Sequence, residues 1–223
     1  MMLVSDQNPI VQVRPFKDSF VVHWLMTKRC NFDCSYCPDI YHSRDAADHN
    51  LEQLKQAWQK IAASTRHIES VKFSVSLLGG EPTLNPDFLD FCKWLRYKSG
   101  SHIVELGVIT NGTASESVYK NLVSVCDWLT FSTHSEFMSE RKFFRNVLQA
   151  HRAAQTTCTV TVNIMDEPWH KERNKVYQQF LDRHGIRTYL HPILEFNGSK
   201  DPYPVRQAQQ IKFYDSIDQR SEL

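Results

Sequence analysis

Between residues 19 and 193 the sequence alternates, again and again, between a short apolar or β-branched stretch and a longer stretch with helical spacing. This pattern constrains the fold more than any other feature, because strands separated by helices cannot pair as hairpins; they pair in parallel, joined by helical crossovers. Strands are expected at 19–27, 71–77, 102–109, 128–132, 157–164 and 186–190, the last extending towards Ile193. Helices are expected at 51–64, 86–98, 115–125, 139–154 and 169–184, with one more at 205–218 after Pro202 and Pro204. Leu51, Leu54, Trp58 and Ile61 mark the first helix, and Asn50 with Gln53 three residues on reads as its capping box. Gly185 is placed to end the helix at 169–184. Residues 10–13 read as a short strand before Pro15.

Six such units fit an open doubly wound sheet or a barrel. An eight-fold barrel typically takes about 250 residues, and the chain has 223. Six units fit a six-fold (β/α)6 partial TIM barrel, of α/β class, with a short C-terminal helical tail, and the doubly wound sheet stays open on length alone. Residues 1–18 are expected as an N-terminal extension, 19–193 as the barrel and 194–223 as a tail of the same domain.

Composition narrows the function. A net charge of +1 gives no bulk attraction to nucleic acid or an anionic membrane. No apolar run approaches the roughly 18 residues of a membrane span, and MMLVSDQNPI lacks the basic region and apolar core of a signal peptide. A cytoplasmic protein is expected. In a chain this long the six cysteines are not needed as a disulfide scaffold.

Ligands of parallel α/β folds sit at the C-terminal strand ends, so the chemistry should follow each strand. After the first come Cys30, Cys34 and Cys37, spaced C-x3-C-x2-C on one loop. Soft thiolates on one loop select zinc, copper(I) or an iron–sulfur cluster. Structural zinc usually takes two paired halves, whereas Cys92, Cys126 and Cys158 stand singly and far apart. The triple therefore suits a cluster with three irons held and one open, with another metal or a chance grouping as the alternatives. After the second strand comes Gly79-Gly80-Glu81-Pro82. Its paired glycines permit close backbone approach and positive φ, and Glu81 offers a carboxylate to an ammonium group; the plain alternative is a turn with an acidic first helical turn. Thr110-Asn111-Gly112 follows the third strand, and Ser132, Thr133 and His134 follow the fourth. Asn163 lies near the end of the fifth, and His191, Pro192 and Ile193 end the sixth. His134 is a candidate acid/base or substrate group, or a solvated side chain.

The Cys30–Cys34–Cys37 triple, with aromatic Tyr36 before its last cysteine and Gly79-Gly80-Glu81-Pro82 after the next strand, resembles the radical S-adenosylmethionine (SAM) superfamily. The resemblance covers residues 19 to 193 and implies the same six-fold partial barrel. It implies that Cys30, Cys34 and Cys37 hold one [4Fe–4S] cluster whose open iron chelates S-adenosyl-L-methionine. It places Tyr36 against the adenine and Gly79, Gly80 and Glu81 at the SAM amino group. It lines the pocket with Asn111, Ser132 and Asn163, and sets Ile193 near the adenine. The implied activity is reductive cleavage of SAM to a 5′-deoxyadenosyl radical, which abstracts hydrogen from a peptide or small-metabolite substrate. The implied partners are that substrate and a flavodoxin- or ferredoxin-type electron donor, with no nucleic acid and no membrane. A glycyl-radical-enzyme activase is an alternative of the same class, although Phe131-Ser132-Thr133-His134 stands where such activases carry D-L-K. A non-catalytic metal-binding or redox-sensing module, or a partner-dependent subunit, would use the same three thiols differently.

Overall fold

The computed structural model describes residues 2–3, 11–16, 19–37, 42–65, 71–166 and 170–193. Its strands are β1 (Met2–Leu3), β2 (Val11–Phe16), β3 (Ser19–Leu25), β4 (Lys72–Leu78), β5 (His102–Thr110), β6 (Trp128–Ser132), β7 (Thr159–Asp166) and β8 (Arg187–Pro192). Its helices are α1 (Leu51–Ser64), α2 (Phe88–Tyr97), α3 (Glu116–Val123), α4 (Glu140–Ala154) and α5 (Lys171–Arg183), with a single 3-10 turn at Pro82–Leu84.

All eight strands form one sheet in chain order. From β3 to β8 every pair is parallel. A sheet whose parallel strands keep chain order, with right-handed crossovers, carries all its helices on one face and curls away from them. That excludes the doubly wound alternative, in which strand order reverses and helices cover both faces. The architecture is a partial barrel. The strand expected at 10–13 is longer: β2 runs through Pro15 to Phe16 and pairs antiparallel with β3. Pro15 is tolerated because β1 covers only Val11 and Gln12, so the rest of β2 lies at an edge. The expected helix at 205–218 lies outside the described residues.

Local chemistry sets the element ends. The Asn50 side chain accepts from Gln53 N at 3.0 Å, and the Gln53 side chain accepts from Asn50 N at 2.9 Å, so α1 starts where the capping box places it. α5 ends in a Schellman arrangement: Gly185, at φ 72°, donates to Asp182 O, and Ile186 donates to Leu181 O.

Side-chain alternation explains both faces of the sheet. Val22, Trp24, Phe73, Val75, Leu77, Leu106, Val108, Leu129, Phe131, Val160 and Val162 are buried under the helices. Trp24 there stacks on Trp58 at 6.3 Å and meets the edge of Phe91 at 5.4 Å. The opposite, concave face carries polar pairs: Ser74 Oγ donates to Glu105 at 2.6 Å, and the Thr130 and Thr161 hydroxyls lie 2.9 Å apart. Trp128 lies across Gly107 on this face, where a Cβ would come within 1.8 Å of the indole. At the C-terminal strand ends the same face presents Leu78, Ile109, Ser132, Asn163 and Met165 to a cavity.

Candidate functional site

The chain after β3 folds back on itself. Ser43 N donates to Lys28 O at 2.7 Å, and Cys30 N donates to Ser43 O at 3.1 Å. Arg29 pairs with Asp48 at 2.5 Å and also donates to Leu84 O. Within this frame Cys37 N donates to Cys34 O at 3.0 Å, closing a turn around Ser35 and Tyr36, and Phe32 N donates to Cys30 Sγ at 3.4 Å.

Cys30, Cys34 and Cys37 line one cavity of about 340 Å3. Burial pushes the Cys30 and Cys34 thiols above their ordinary range, and the neighbouring thiols push Cys34 further up. Ionising three thiols here therefore needs a compensating positive charge, which is what a bound metal centre provides. The donor set, three sulfurs from one loop, fits an iron–sulfur cluster. By contrast, Cys92 and Cys126 are core residues and Cys158 lies just before β7.

The loop after β4 is locked under the cysteine loop. Gly80 N donates to Thr27 O and Glu81 N to Arg29 O, both at 2.8 Å. A Cβ on Gly79 would sit 2.6 Å from Thr27 O, and one on Gly80 would sit 2.4 Å from Arg29 O. The positive φ that these glycines permit is not used; among the described residues the positive-φ glycines are Gly100, Gly112 and Gly185. Gly79 and Gly80 are required by close approach alone. Both line the cavity, necessarily with backbone atoms.

Glu81 is fully buried and its carboxylate is occupied by the protein itself. One oxygen accepts from Thr83 N at 3.1 Å and from the Thr110 hydroxyl at 2.9 Å; the other accepts from Asn111 N at 2.6 Å. Burial raises its pKa while these hydrogen bonds lower it. Glu81 thus ties the end of β5 to the loop after β4. Asn111, held by that bond, donates from its side chain to Asn31 at 2.9 Å and lines the cavity.

The loop after β6 reaches the cysteine loop from the other side. His134 Nδ1 lies 2.8 Å from Tyr36 OH and 3.6 Å from Cys34 Sγ, its ring stacked on Tyr36 at 15°. Desolvation pushes its pKa down to about 4, so the imidazole is neutral at ordinary pH. Glu136 accepts from Ser35 N at 2.7 Å and from the Ser35 hydroxyl. Phe137 stacks on Phe32 at 5.8 Å.

Of the residues expected from sequence, Cys30, Cys34, Cys37, Gly79, Gly80, Asn111, Ser132, His134 and Asn163 line the one cavity. Ser132 and Asn163 are register partners across β6 and β7. Tyr36 and Ile193 pack in the apolar cluster around the cysteine loop, and Glu81 lies beneath the cavity. Sequence reasoning passed over His42, Met165 and Phe32, which share the lining. His42 holds Asp33 at 3.0 Å, and its place eight residues before the capping box gave no signal.

The family model of the radical SAM superfamily matches residues 24–165, more than half of the chain. The chain belongs to the radical SAM superfamily. The superfamily uses a [4Fe–4S] cluster and S-adenosylmethionine. Among curated proteins, GTP 3′,8-cyclase of Haemophilus influenzae (strain 86-028NP) is 32% identical over 118 residues, 52% of this chain and 32% of that protein. The probable GTP 3′,8-cyclase of Pyrococcus abyssi is 30% identical over 99 residues, 44% of this chain and 28% of that protein. This radical SAM chain thus spans about a third of the length of the curated relatives it matches. Native anSMEcpe with bound AdoMet has the same fold, with a TM-score of 0.59 at 19% identity over 83% of this chain and 55% of that one. No helix among the described residues is long and apolar enough to cross a membrane.

Proposed function

We propose that this chain is a radical SAM enzyme that cleaves S-adenosylmethionine reductively and takes hydrogen from a peptide or small-metabolite substrate. The observation that carries it is the meeting, in one cavity, of three thiols, two buried and one partly buried, with the backbone of Gly79 and Gly80. When bound, the cluster and SAM supply one-electron cleavage of the C5′–S bond, giving methionine and a 5′-deoxyadenosyl radical. The protein's part is to bind, orient and exclude water. Cys30, Cys34 and Cys37 hold the cluster. Gly79 and Gly80 offer bare backbone to the SAM amino group, and Glu81 fixes that backbone through Thr83, Thr110 and Asn111. Asn111, Ser132 and Asn163 place polar groups for the ribose and carboxylate, and Tyr36 and Ile193 bound the adenine side. A cavity of about 340 Å3 falls in the range of small-ligand sites.

β8 is an edge strand among the described residues, with Tyr189 and Leu190 half exposed, and in this reading a peptide or metabolite enters along that side. The reductant in this reading is a flavodoxin- or ferredoxin-type protein, and the compartment is the cytoplasm, where thiols stay reduced. The similarity to GTP 3′,8-cyclases favours a second substrate reading, a purine nucleotide.

The test is anaerobic reconstitution with iron and sulfide, then dithionite and SAM, with 5′-deoxyadenosine followed by mass spectrometry. Product is expected from the wild type and not from the C30A/C34A/C37A variant. Equal product from both, or a wild type that takes up no iron, would overturn the reading. Deuterium transfer from labelled peptide, metabolite or GTP then separates the substrates.

A further inference from the structure

The turn that carries two of the three thiols is closed by a backbone hydrogen bond from Cys37 N to Cys34 O at 3.0 Å. Its central residues are held from the opposite side of the cavity mouth. Ser35 gives both its donors to the Glu136 carboxylate, N–H to one oxygen and hydroxyl to the other. A two-point grip of this kind fixes orientation as well as position. Tyr36 is held through its hydroxyl, 2.8 Å from His134 Nδ1, and through its ring, stacked on the imidazole. The same nitrogen lies 3.6 Å from Cys34 Sγ. Phe32, between the first two thiols, is wedged against His134 at 6.0 Å and Phe137 at 5.8 Å.

We propose that Glu136 and His134, on the loop between β6 and α4, are positioning residues that hold the Cys34–Cys37 turn in the conformation that ligates the cluster. The inference rests on the cluster reading above. Glu136 contributes two acceptor oxygens, each aimed at one of the Ser35 donors. The carboxylate acts by geometry, as the outer partners of metal ligands do when they lock ligand orientation. His134 is in turn a hydrogen-bond partner of the Tyr36 hydroxyl and lies 3.6 Å from the Cys34 sulfur.

The test uses the full chain, reconstituted, with Glu136→Ala, Glu136→Gln and His134→Phe. The readouts are the rate of iron release to a chelator and the electron paramagnetic resonance spectrum of the dithionite-reduced cluster. Glu136→Ala is expected to release iron about 10–100-fold faster, the usual range for lost outer partners. Glu136→Gln should recover most of this, since its carbonyl accepts from Ser35 N and its amide donates to the Ser35 oxygen. His134→Phe keeps the ring stack and loses the nitrogen, so the reduced-cluster spectrum should shift. Iron release from Glu136→Ala within about twofold of wild type, well below that range, would overturn the grip. So would Glu136→Gln behaving like Glu136→Ala, which would assign the effect to charge. An unchanged spectrum in His134→Phe would remove His134 from the proposal. A wild type that binds no cluster fails the earlier reading instead. The grip is then judged on the cluster-free protein, where the Ser35 amide should exchange faster in Glu136→Ala than in wild type; equal exchange would overturn it.

Discussion

Gly80→Ala should damage the site out of proportion to its single added methyl. The new Cβ would lie 2.4 Å from Arg29 O and 2.7 Å from both Arg29 C and Lys28 O, all backbone atoms with no rotamer to change. Ordinary contact begins near 3.4 Å, so the Lys28–Arg29 peptide must retreat by about 1 Å. That movement strains the bonds from Gly80 N to Thr27 O and from Glu81 N to Arg29 O, and displaces the residue next to Cys30. Overpacking costs about 1–3 kcal/mol and each of the two weakened hydrogen bonds about 1 kcal/mol, together about 3–5 kcal/mol. For a domain of this size that lowers the melting temperature by roughly 10 °C. Gly100→Ala is the control, since Gly100 has φ 71° but nothing within 4 Å of its Cβ. It should cost about 1 kcal/mol by backbone strain and leave iron uptake unchanged. Thermal melts of the cluster-free chains, with iron content and anaerobic SAM binding after reconstitution, make the comparison. A Gly80→Ala protein that melts within about 2 °C of wild type, and binds iron and SAM normally, would refute the close-approach argument.

Gly107→Ala should be destabilising by at least about 1–3 kcal/mol because its Cβ would penetrate the Trp128 indole, 1.8 Å away. Trp128→Val should relieve it, so a double-mutant cycle by denaturant unfolding should return a coupling of about 0.5–3 kcal/mol; additive costs would refute the contact. Cys92→Ala should cost of order 1 kcal/mol through a core vacancy and keep full iron content, whereas Cys34→Ala should lose iron; iron loss from Cys92→Ala would contradict the core assignment of that thiol. Burial holds the Glu81 carboxyl above its ordinary 4.5. The stability tied to its protonation is therefore fully present below that value and lost as pH rises through the folded pKa. Glu81→Gln removes this dependence, so the unfolding free energy of cluster-free wild type minus that of the variant should fall as pH rises from about 4; a flat difference would refute it.

The elements most legible in the sequence were those whose ends carry local chemistry. The capping box gave α1 its first residue, Gly185 gave α5 its last, and the β-branched run gave β7. Alternation gave parallel strands with helical crossovers but left a doubly wound sheet and a partial barrel both open; the strand order, which no local pattern carries, decided between them. The thiol triple and the glycine loop were legible because each is contiguous. The clamp was not: Ser35 and Glu136 are 101 positions apart, and Tyr36 and His134 are 98 apart. No periodicity carries a contact of that separation, so His134 read as a candidate acid/base or substrate group, or a solvated side chain, and not as a partner of Tyr36. The reason for Gly79 and Gly80 was also out of reach, since a sequence shows that a side chain is missing but not which backbone occupies its space.

The stitching of residues 27–30 to residues 80–81 also orders events during synthesis. Thr27 and Arg29 leave the ribosome long before the amides that hold them, and Glu136 follows more than fifty residues after those. Until β4 has paired with β3 the thiol loop has no floor, and until β6 is in place it has no roof. Closing loops of that length carries an entropic cost that β-strand pairing must meet first. Iron delivered to the nascent chain meets three thiols on a loose tether, and iron delivered after β6 has docked meets a finished cage. This order predicts that cluster insertion follows folding: truncations that end before residue 136 should bind iron weakly however many cysteines they retain.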